Sequence, residues 1–331
     1  MIWYKEKNPD IVISTRVRLA RNLDKIPFPG ALDNPDEVIK KIKDAVFNSN
    51  STLSADFEDM KLSMLSKEEK IRLSESHLIS SQMLSSGSHE CLINKDRTMS
   101  LMIMEEDHLR EQVILGGYKL DDAFEICDKV DDVLSENLDF AFDEQTGYLT
   151  ACPTNVGTGL RASVMMHLPA LTLSGSMNRI IASASNVGIT VRGYYGEGSE
   201  AEGFFYQISN QITTGATERE IIDRVKNVSD QIIAFEKEAR ASLLKNNKTA
   251  VEDRVYRSYG ILKYARSISS KEAISLISDV LFGKNMGIIK EESKISPMEM
   301  IVCSGPAHIT DGSATPDVRD IKRSEYIRGN V

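Results

Sequence analysis

The stretch Gly147-Tyr-Leu-Thr-Ala-Cys-Pro-Thr-Asn-Val-Gly-Thr-Gly-Leu-Arg-Ala-Ser-Val-Met-Met-His-Leu-Pro-Ala-Leu171 organises the chain. It reads as a short strand, a loop and a helix start. Cys152 sits where the strand ends, Pro153 stops the ladder, and Gly157 and Gly159 let the backbone bend before an apolar helical run that opens at Arg161. Such a loop presents backbone N–H groups, hydroxyls and one guanidinium to an anion. The same composition also suits a plain strand-to-helix connection with a buried structural cysteine, and the segment alone does not choose between the two.

Working outward, 331 residues suffice for two domains of ordinary size, and 41% apolar with 27% charged residues is a globular make-up. No apolar run approaches the roughly 20 residues that span a bilayer, and Met-Ile-Trp-Tyr-Lys-Glu-Lys at the start lacks a signal peptide's apolar core. A cytoplasmic protein with no membrane contact is expected. Cys91, Cys127, Cys152 and Cys303 are far apart with no C-x-x-C pair, which argues against a zinc site and a disulfide framework. A net charge of −9 disfavours general nucleic-acid binding but leaves room for a local basic pocket.

In chain order, Ile11 to Ala20 alternates as a strand, with Ile11, Ile13, Thr15, Val17 and Leu19 on one face and Ser14, Arg16 and Arg18 on the other. Asn34-Pro35 starts a helix, and Ser66 with Glu69 caps another that runs on past His77. Cys91 to Met104 is a hairpin that turns at Asn94 to Arg97 and runs into Glu105-Glu106-Asp107-His108-Leu109-Arg110. Three consecutive acids repel one another and need compensation, unless they open a helix. Asp121 to Leu138 is helical and Phe140 to Leu149 a strand. Ile189 to Tyr195 and Gly203 to Ile208 form a hairpin about Gly196 to Ser199, holding Arg192 and Glu197. Thr217 and Glu220 form a capping box for a long helix, followed by helices over 251–265 and 270–282. The expected organisation is α+β: an antiparallel sheet flanked by helices over 1–240, followed by an all-helical domain over 241–331.

Four ordered motifs resemble those of the guanidino (phosphagen) kinase superfamily. They are Ser14-Thr15-Arg16-Val17-Arg18, Glu105-Glu106-Asp107-His108, Cys152-Pro153-Thr154-Asn155 with Gly157 to Arg161, and Arg192-Gly193 with Glu197. Within the superfamily the chain is most similar to the bacterial protein-arginine kinases. The small-molecule members carry a helical domain before the first arginine motif; here Arg16 lies near the start, implying that this lid is absent and that the site is open to a protein side chain. Two positions depart from the pattern: Met104 stands where Asn usually precedes Glu-Glu-Asp-His, and Ser324 where Ala usually ends the C-terminal motif.

The resemblance implies an ATP- and Mg²⁺-dependent γ-phosphoryl transfer. With no G-x-x-x-x-G-K-[ST], a kinase must gather cations another way. Arg16, Arg18, Arg110, Arg161 and Arg192 would surround the triphosphate, with Ser14, Thr15, Val17, His77, Ala162, Ser163, Val164, Met165, Gly193, Tyr194, Tyr195 and Gly196 completing the ATP site and Mg²⁺ held through ATP. A protonated guanidinium has no lone pair with which to attack, so carboxylates must hold it and take its proton. Glu106 and Glu197 are assigned that role, with Cys152 beside the guanidinium as an orienting group. Arg319, Asp320 and Arg323 resemble a phosphoarginine-binding allosteric motif.

The resemblance further implies protein substrates marked for a Clp-type unfoldase-protease, inactivation of a stress-gene repressor, a zinc-binding activator protein and a homodimer. Two alternatives stand beside it: a kinase of free arginine or another small guanidine, and a non-catalytic phosphoarginine-binding adaptor.

Overall fold

The computed structural model describes the chain apart from residues 1, 8, 49–51, 86, 195–201 and 311–313. The described strands are β1 (Val12–Arg21), β2 (Phe57–Asp59), β3 (Glu90–Asn94), β4 (Met99–Ile103), β5 (Leu109–Gly116), β6 (Phe142–Asp143), β7 (Gly147–Tyr148), β8 (Leu160–His167), β9 (Ile189–Gly193) and β10 (Phe205–Asn210). Eight of them hydrogen-bond in the order β2-β3-β4-β5-β1-β8-β10-β9, and β6 pairs with β7. The helices are α1 (Pro35–Phe47), α2 (Leu53–Asp56), α3 (Lys67–Glu75), α4 (Leu120–Ser135), α5 (Pro169–Leu173), α6 (Met177–Ser185), α7 (Glu218–Asn246), α8 (Lys248–Tyr264), α9 (Ser270–Asn285), α10 (Pro297–Cys303), α11 (Pro306–Ile309) and α12 (Pro316–Arg328). The α+β class with a helical C-terminal region is as the sequence predicts. The chain divides into two compact units: Met1–Trp3, Thr15–Ser163 and Ser209–Lys226 in one; Tyr4–Ser14, Val164–Ile208 and Asn227–Val331 in the other.

In the first unit, β2 to β5 pair antiparallel, with Leu92 opposite Leu101 and Met102 opposite Arg110. The β3–β4 turn is set by Asn94, whose Oδ1 accepts from the backbone N–H groups of Thr98 and Met99 at 2.9 Å each. Every residue of β4 is buried, as expected of a strand covered on both faces. Leu62, Leu73, Leu78, Met83, Cys91, Ile93 and Met102 form one apolar cluster that ties α3 and its flanking turns to the hairpin. Helix α4 buries Leu120, Ala123, Cys127, Val130 and Leu134 at helical spacing.

In the second unit, α9 is buried at Ala273, Ile274 and from Leu276 through Gly283, which marks it as the central helix. Gly283 admits α8 closely: a Cβ there would lie 2.2 Å from Val255 Cγ1. Glu236, fully buried on α7, accepts from the N–H groups of Ala170 and Leu171 at the start of α5, and Arg240 neutralises it at 2.8 Å.

Several elements differ from the sequence reading. The run opening at Arg161 is not a helix but β8, and helix begins only at Pro169. Both faces of this segment are buried, so it lacks the alternation that marks a strand, and its Ala and Met content favours a helix. Pairing decides it: Gly159 O accepts from Ala20 N at 3.0 Å, and a Cβ on Gly159 (φ +65°) would lie 2.6 Å from Ala20 O. Helix α3 stops at Glu75 rather than passing His77, which takes φ +60°. The strand expected over 140–149 is reduced to the β6–β7 hairpin, closed by Asp143 accepting from Gln145 and Thr146. The first hairpin strand ends at Gly193, its return starts at Phe205, and Tyr195, Gly196 and Glu197 lie outside the described residues. The capping boxes at Ser66 and Thr217 are present, and α7 runs unbroken through residue 240.

Candidate active site

Strand β1 projects Arg16 and Arg18 from the face opposite its apolar side chains, as the alternation predicts. Neither guanidinium has an ion-pair partner among the described residues, and Arg18 Nε is buried without a hydrogen bond. Burial, then the charges of Arg110 and Arg161, lower the Arg16 pKa from its ordinary value to about 10. Arg18 is lowered well below its ordinary value by burial and by Arg16, Arg110 and Arg161, with Glu105 opposing. Two buried cations set beside two more, and without a carboxylate partner among the described residues, make a site that an anion would complete.

Strand β8 lies against β1 here: Ser163 Oγ donates to Arg16 O at 3.3 Å, and Ala162, Ser163, Val164 and Met165 are buried. Thr15 is spent on structure, donating to Gly117 O at 2.8 Å and accepting from Lys119 N at 3.0 Å. Ser14 and Val17 are buried. His77 stands edge-on to Trp3, with ring centroids 5.2 Å apart, and burial plus the Arg16 charge lower its pKa to about 3, so the ring is neutral. Arg192 is half-buried on β9, Gly193 ends that strand, and Tyr194 packs on Phe205.

The three acids after β4 find the compensation their repulsion requires, and they do not open a helix. Arg110 donates Nη1 to Glu105 Oε1 at 2.7 Å and Nη2 to Glu106 Oε2 at 2.9 Å. Asp107, fully buried, accepts on one oxygen from Asn22 Nδ2 and from Ala151 N, both at 2.7 Å. One carboxylate thus links the residue after Glu106 to the residue before Cys152. Asn22 completes the junction by accepting from His108 N at 2.9 Å and donating to Leu149 O at 3.1 Å. Cys152 is half-buried, with Sγ 3.0 Å from Thr154 Oγ1. Sequence reasoning missed Asn22 and Asp107 as positioning groups; their partners lie up to 127 residues away, and no local pattern signals them. Met104, where the resemblance expects Asn, takes φ +60°, a conformation Asn adopts more readily.

In α12, Arg323 is buried and donates to Ser304 O and Ile268 O at 2.9 Å each, and to Asp320 at 2.5 Å. Arg319 is half-buried on the same helix. Ser324 uses its hydroxyl to reach Arg266 O at 2.7 Å, a bond the expected Ala could not make.

A family model for the ATP:guanido phosphotransferase C-terminal catalytic domain matches residues 37–239, and one for the protein-arginine kinase McsB C-terminal domain matches 248–331. The chain is 48% identical to the protein-arginine kinase of Halothermothrix orenii, over 98% of this chain and 95% of that one. It is 43% identical to the Bacillus subtilis protein-arginine kinase over 98% and 92%. The chain belongs to the protein-arginine kinase family. As a kinase of that family it is a phosphotransferase that uses ATP and acts on arginine in proteins. Solved structures share the fold: lombricine kinase matches with a TM-score of 0.63 at 24% identity, over 70% of this chain and 68% of that one. The substrate-free duplicated taurocyamine kinase from Schistosoma mansoni matches with a TM-score of 0.60 at 25% identity, over 80% and 39%. Among the described residues of the kinase, no helix is long and apolar enough to cross a membrane.

Proposed function

We propose that the kinase binds the triphosphate of ATP with Arg16, Arg18, Arg110, Arg161 and Arg192 and delivers the γ-phosphoryl group to an arginine side chain held by Glu106 and Glu197, with Cys152 beside it. The lowering of Arg16 and Arg18 by burial and then by neighbouring cations, with no carboxylate partner for either among the described residues, is the observation that carries this reading. A triphosphate supplies the missing negative charge, and guanidinium forks match its oxygens. In the transfer, a bond forms between a guanidinium nitrogen and the γ-phosphorus as the bond to the β-phosphate's bridging oxygen breaks. A carboxylate takes the guanidinium proton and ADP leaves.

The ATP site would further draw on Ser14, Thr15, Val17, His77, Ala162 to Met165 and Gly193 to Gly196. Of these, neutral His77 and the buried β8 residues would wall the nucleotide rather than carry charge. Mg²⁺ would arrive on the nucleotide. Bound there, it would neutralise charge on the β- and γ-oxygens. The catalytic body over 1–240 would be followed by a domain over 241–331 that reads phosphoarginine through Arg319, with Arg323 and Asp320 building the site around it. Marking of proteins for a Clp-type protease, inactivation of a stress-gene repressor, a zinc-binding activator, dimerisation and a cytoplasmic location belong to the same proposal.

The test is incubation with Mg·ATP and an arginine-rich protein, followed by mass spectrometry at neutral pH because phosphoramidates are acid-labile. Phosphoarginine that disappears in Glu106→Ala is expected. Transfer undiminished in Glu106→Ala would remove Glu106 from the reaction.

A further inference from the structure

The loop from Tyr148 to Thr158 carries Cys152 with little regular structure of its own: one short 3-10 turn covers Pro153–Asn155. Its backbone groups must therefore find partners elsewhere. At the base, Tyr148 N donates to Gly157 O at 2.7 Å and Gly157 N returns to Tyr148 O at 3.2 Å. Within the turn, Asn155 N donates to Cys152 O at 3.0 Å. Thr154 O and Val156 O are both met by a single side chain from the segment that follows β10. Thr213 Oγ1 lies 3.0 Å from the first and 2.7 Å from the second, so its one proton is shared between them.

Thr213 is 3% exposed and closes on the loop with its backbone as well. Its carbonyl accepts from Thr158 N at 3.0 Å and from Thr158 Oγ1 at 3.3 Å. Gly157 (φ +112°) passes so close that a Cβ there would lie 2.3 Å from Thr213 O, which only glycine allows. The threonine is itself anchored. Asn210 Nδ2 donates to Ile212 O at 3.2 Å and to Leu160 O at 2.9 Å, while its Oδ1 accepts from Ala162 N at 2.8 Å. One amide thus fixes β8 on either side of Arg161 together with the residue before Thr213. From that anchor the path to the sulfur is short: Thr213 holds Thr154 O, and Thr154 Oγ1 lies 3.0 Å from Cys152 Sγ.

We infer that Thr213, which belongs to none of the four motifs, is a positioning residue for phosphoryl transfer: its hydroxyl clamps the carbonyls on either side of Asn155 and so sets where the Cys152 thiol stands. This rests on the reading of Cys152 as the group beside the substrate guanidinium. Turnover depends on placement to within a fraction of an ångström, so a loosened loop slows transfer. The arginines proposed to hold the triphosphate do not depend on this hydroxyl, and nucleotide binding is unaffected.

The test uses the full chain with Thr213→Val, Thr213→Ala, Thr213→Ser and Cys152→Ala. It measures kcat, nucleotide affinity and the rate at which iodoacetamide alkylates Cys152, followed by peptide mass spectrometry. Thr213→Val keeps the side-chain shape without the proton and should lower kcat by roughly 10- to 100-fold, with nucleotide affinity held within about twofold. The Cys152 alkylation rate should change by more than about threefold, since reactivity follows the thiol's surroundings. Thr213→Ser, which keeps the hydroxyl, should recover most of both effects. Thr213→Ala puts no methyl in the hydroxyl's place and decides the matter in the same way if Thr213→Val does not fold. Impaired Cys152→Ala beside a fully active Thr213→Val overturns the positioning role alone. So does an unchanged alkylation rate in an impaired Thr213→Val, or a Thr213→Ser as impaired as Thr213→Val. Fully active Cys152→Ala overturns the reading of Cys152 and this proposal with it.

Discussion

Arg110 Nη2 stands 2.9 Å from Glu106 Oε2 while the other arm of the same guanidinium holds buried Glu105. The fork therefore orients Glu106, the carboxylate proposed to hold the substrate, while its charge acts on Arg16 and Arg18. A lysine ammonium lacks the rigid planar fork that holds both acids in this geometry. Arg110→Lys should leave the chain folded but less stable by about 2 to 4 kcal/mol, because Glu105 loses half of a buried pair. Turnover should fall by roughly 100-fold. Urea midpoints and initial rates check both, and an unchanged rate would remove Arg110 from the transfer step.

Burial beside other cations predicts opposite effects on stability and function at Arg16. A fall from the ordinary arginine value to about 10 corresponds to on the order of 3 kcal/mol of unfavourable charge, reduced by hydration at this half-buried position. Arg16→Gln should therefore raise the melting temperature of the ligand-free protein by a few degrees, roughly 1 kcal/mol. It should also abolish transfer and weaken stabilisation by tripolyphosphate. Thermal melts with and without that anion report all of this except transfer. A lowered melting temperature without ligand would contradict the electrostatic account.

His77 sets a pH dependence. Its folded pKa, about 3, lies below the unfolded value of 6.5, so between those limits the unfolded chain binds one more proton. The resulting loss of stability begins as pH falls through 6.5, grows by about 1.4 kcal/mol per pH unit and levels off near 3. His167 and His108, both lowered by burial, act with the same sign. In His77→Asn, which tolerates the positive φ, the drop in unfolding free energy from pH 7 to pH 5 should be about 2 kcal/mol smaller than in wild type. Equal drops would show that the histidine is protonated in the fold.

Asn22 illustrates a different kind of dependence. Its side chain joins Asp107, His108 N and Leu149 O, and it lines up the segments carrying Glu106 and Cys152 without belonging to either. Asn22→Asp removes two donated bonds and sets a second carboxylate against Asp107. A loss of about 3 to 5 kcal/mol is expected, against about 2 for Asn22→Ala, which only leaves groups unpaired. Chemical denaturation of the two variants, compared with each other, checks the ordering.

Much of this arrangement was legible from residue order alone. Alternation along Ile11 to Ala20 placed Arg16 and Arg18 on one face, and the Ser66 and Thr217 boxes announced their helices because capping is local chemistry. The acids at 105–107 signalled a need for compensation, which Arg110 meets for Glu105 and Glu106. What escaped was non-local. Strand β8 reads as a helix because both its faces are covered, and only the approach of Ala20 to Gly159 makes it a strand. Asn22 and Asp107 matter because distant segments converge on them, which no window of sequence displays. The short motif around Arg319 likewise could not reveal that its two arginines have different surroundings.

That difference makes the last prediction. Arg323 is 1% exposed, with its donors on two backbone carbonyls and Asp320, whereas Arg319 is half-buried with no ion-pair partner among the described residues. Truncating Arg323 would strand buried acceptors between α12, the segment before α9 and the end of α10, so Arg323→Ala should cost about 3 to 5 kcal/mol. Arg319→Ala should change stability by no more than about 0.5 kcal/mol. If Arg319 grips the phosphate, its loss should abolish phosphoarginine binding in calorimetry on a protein whose melting temperature is unchanged. Binding that survives Arg319→Ala would mean that the motif is a structural anchor built on Arg323 and that phosphoarginine is read elsewhere.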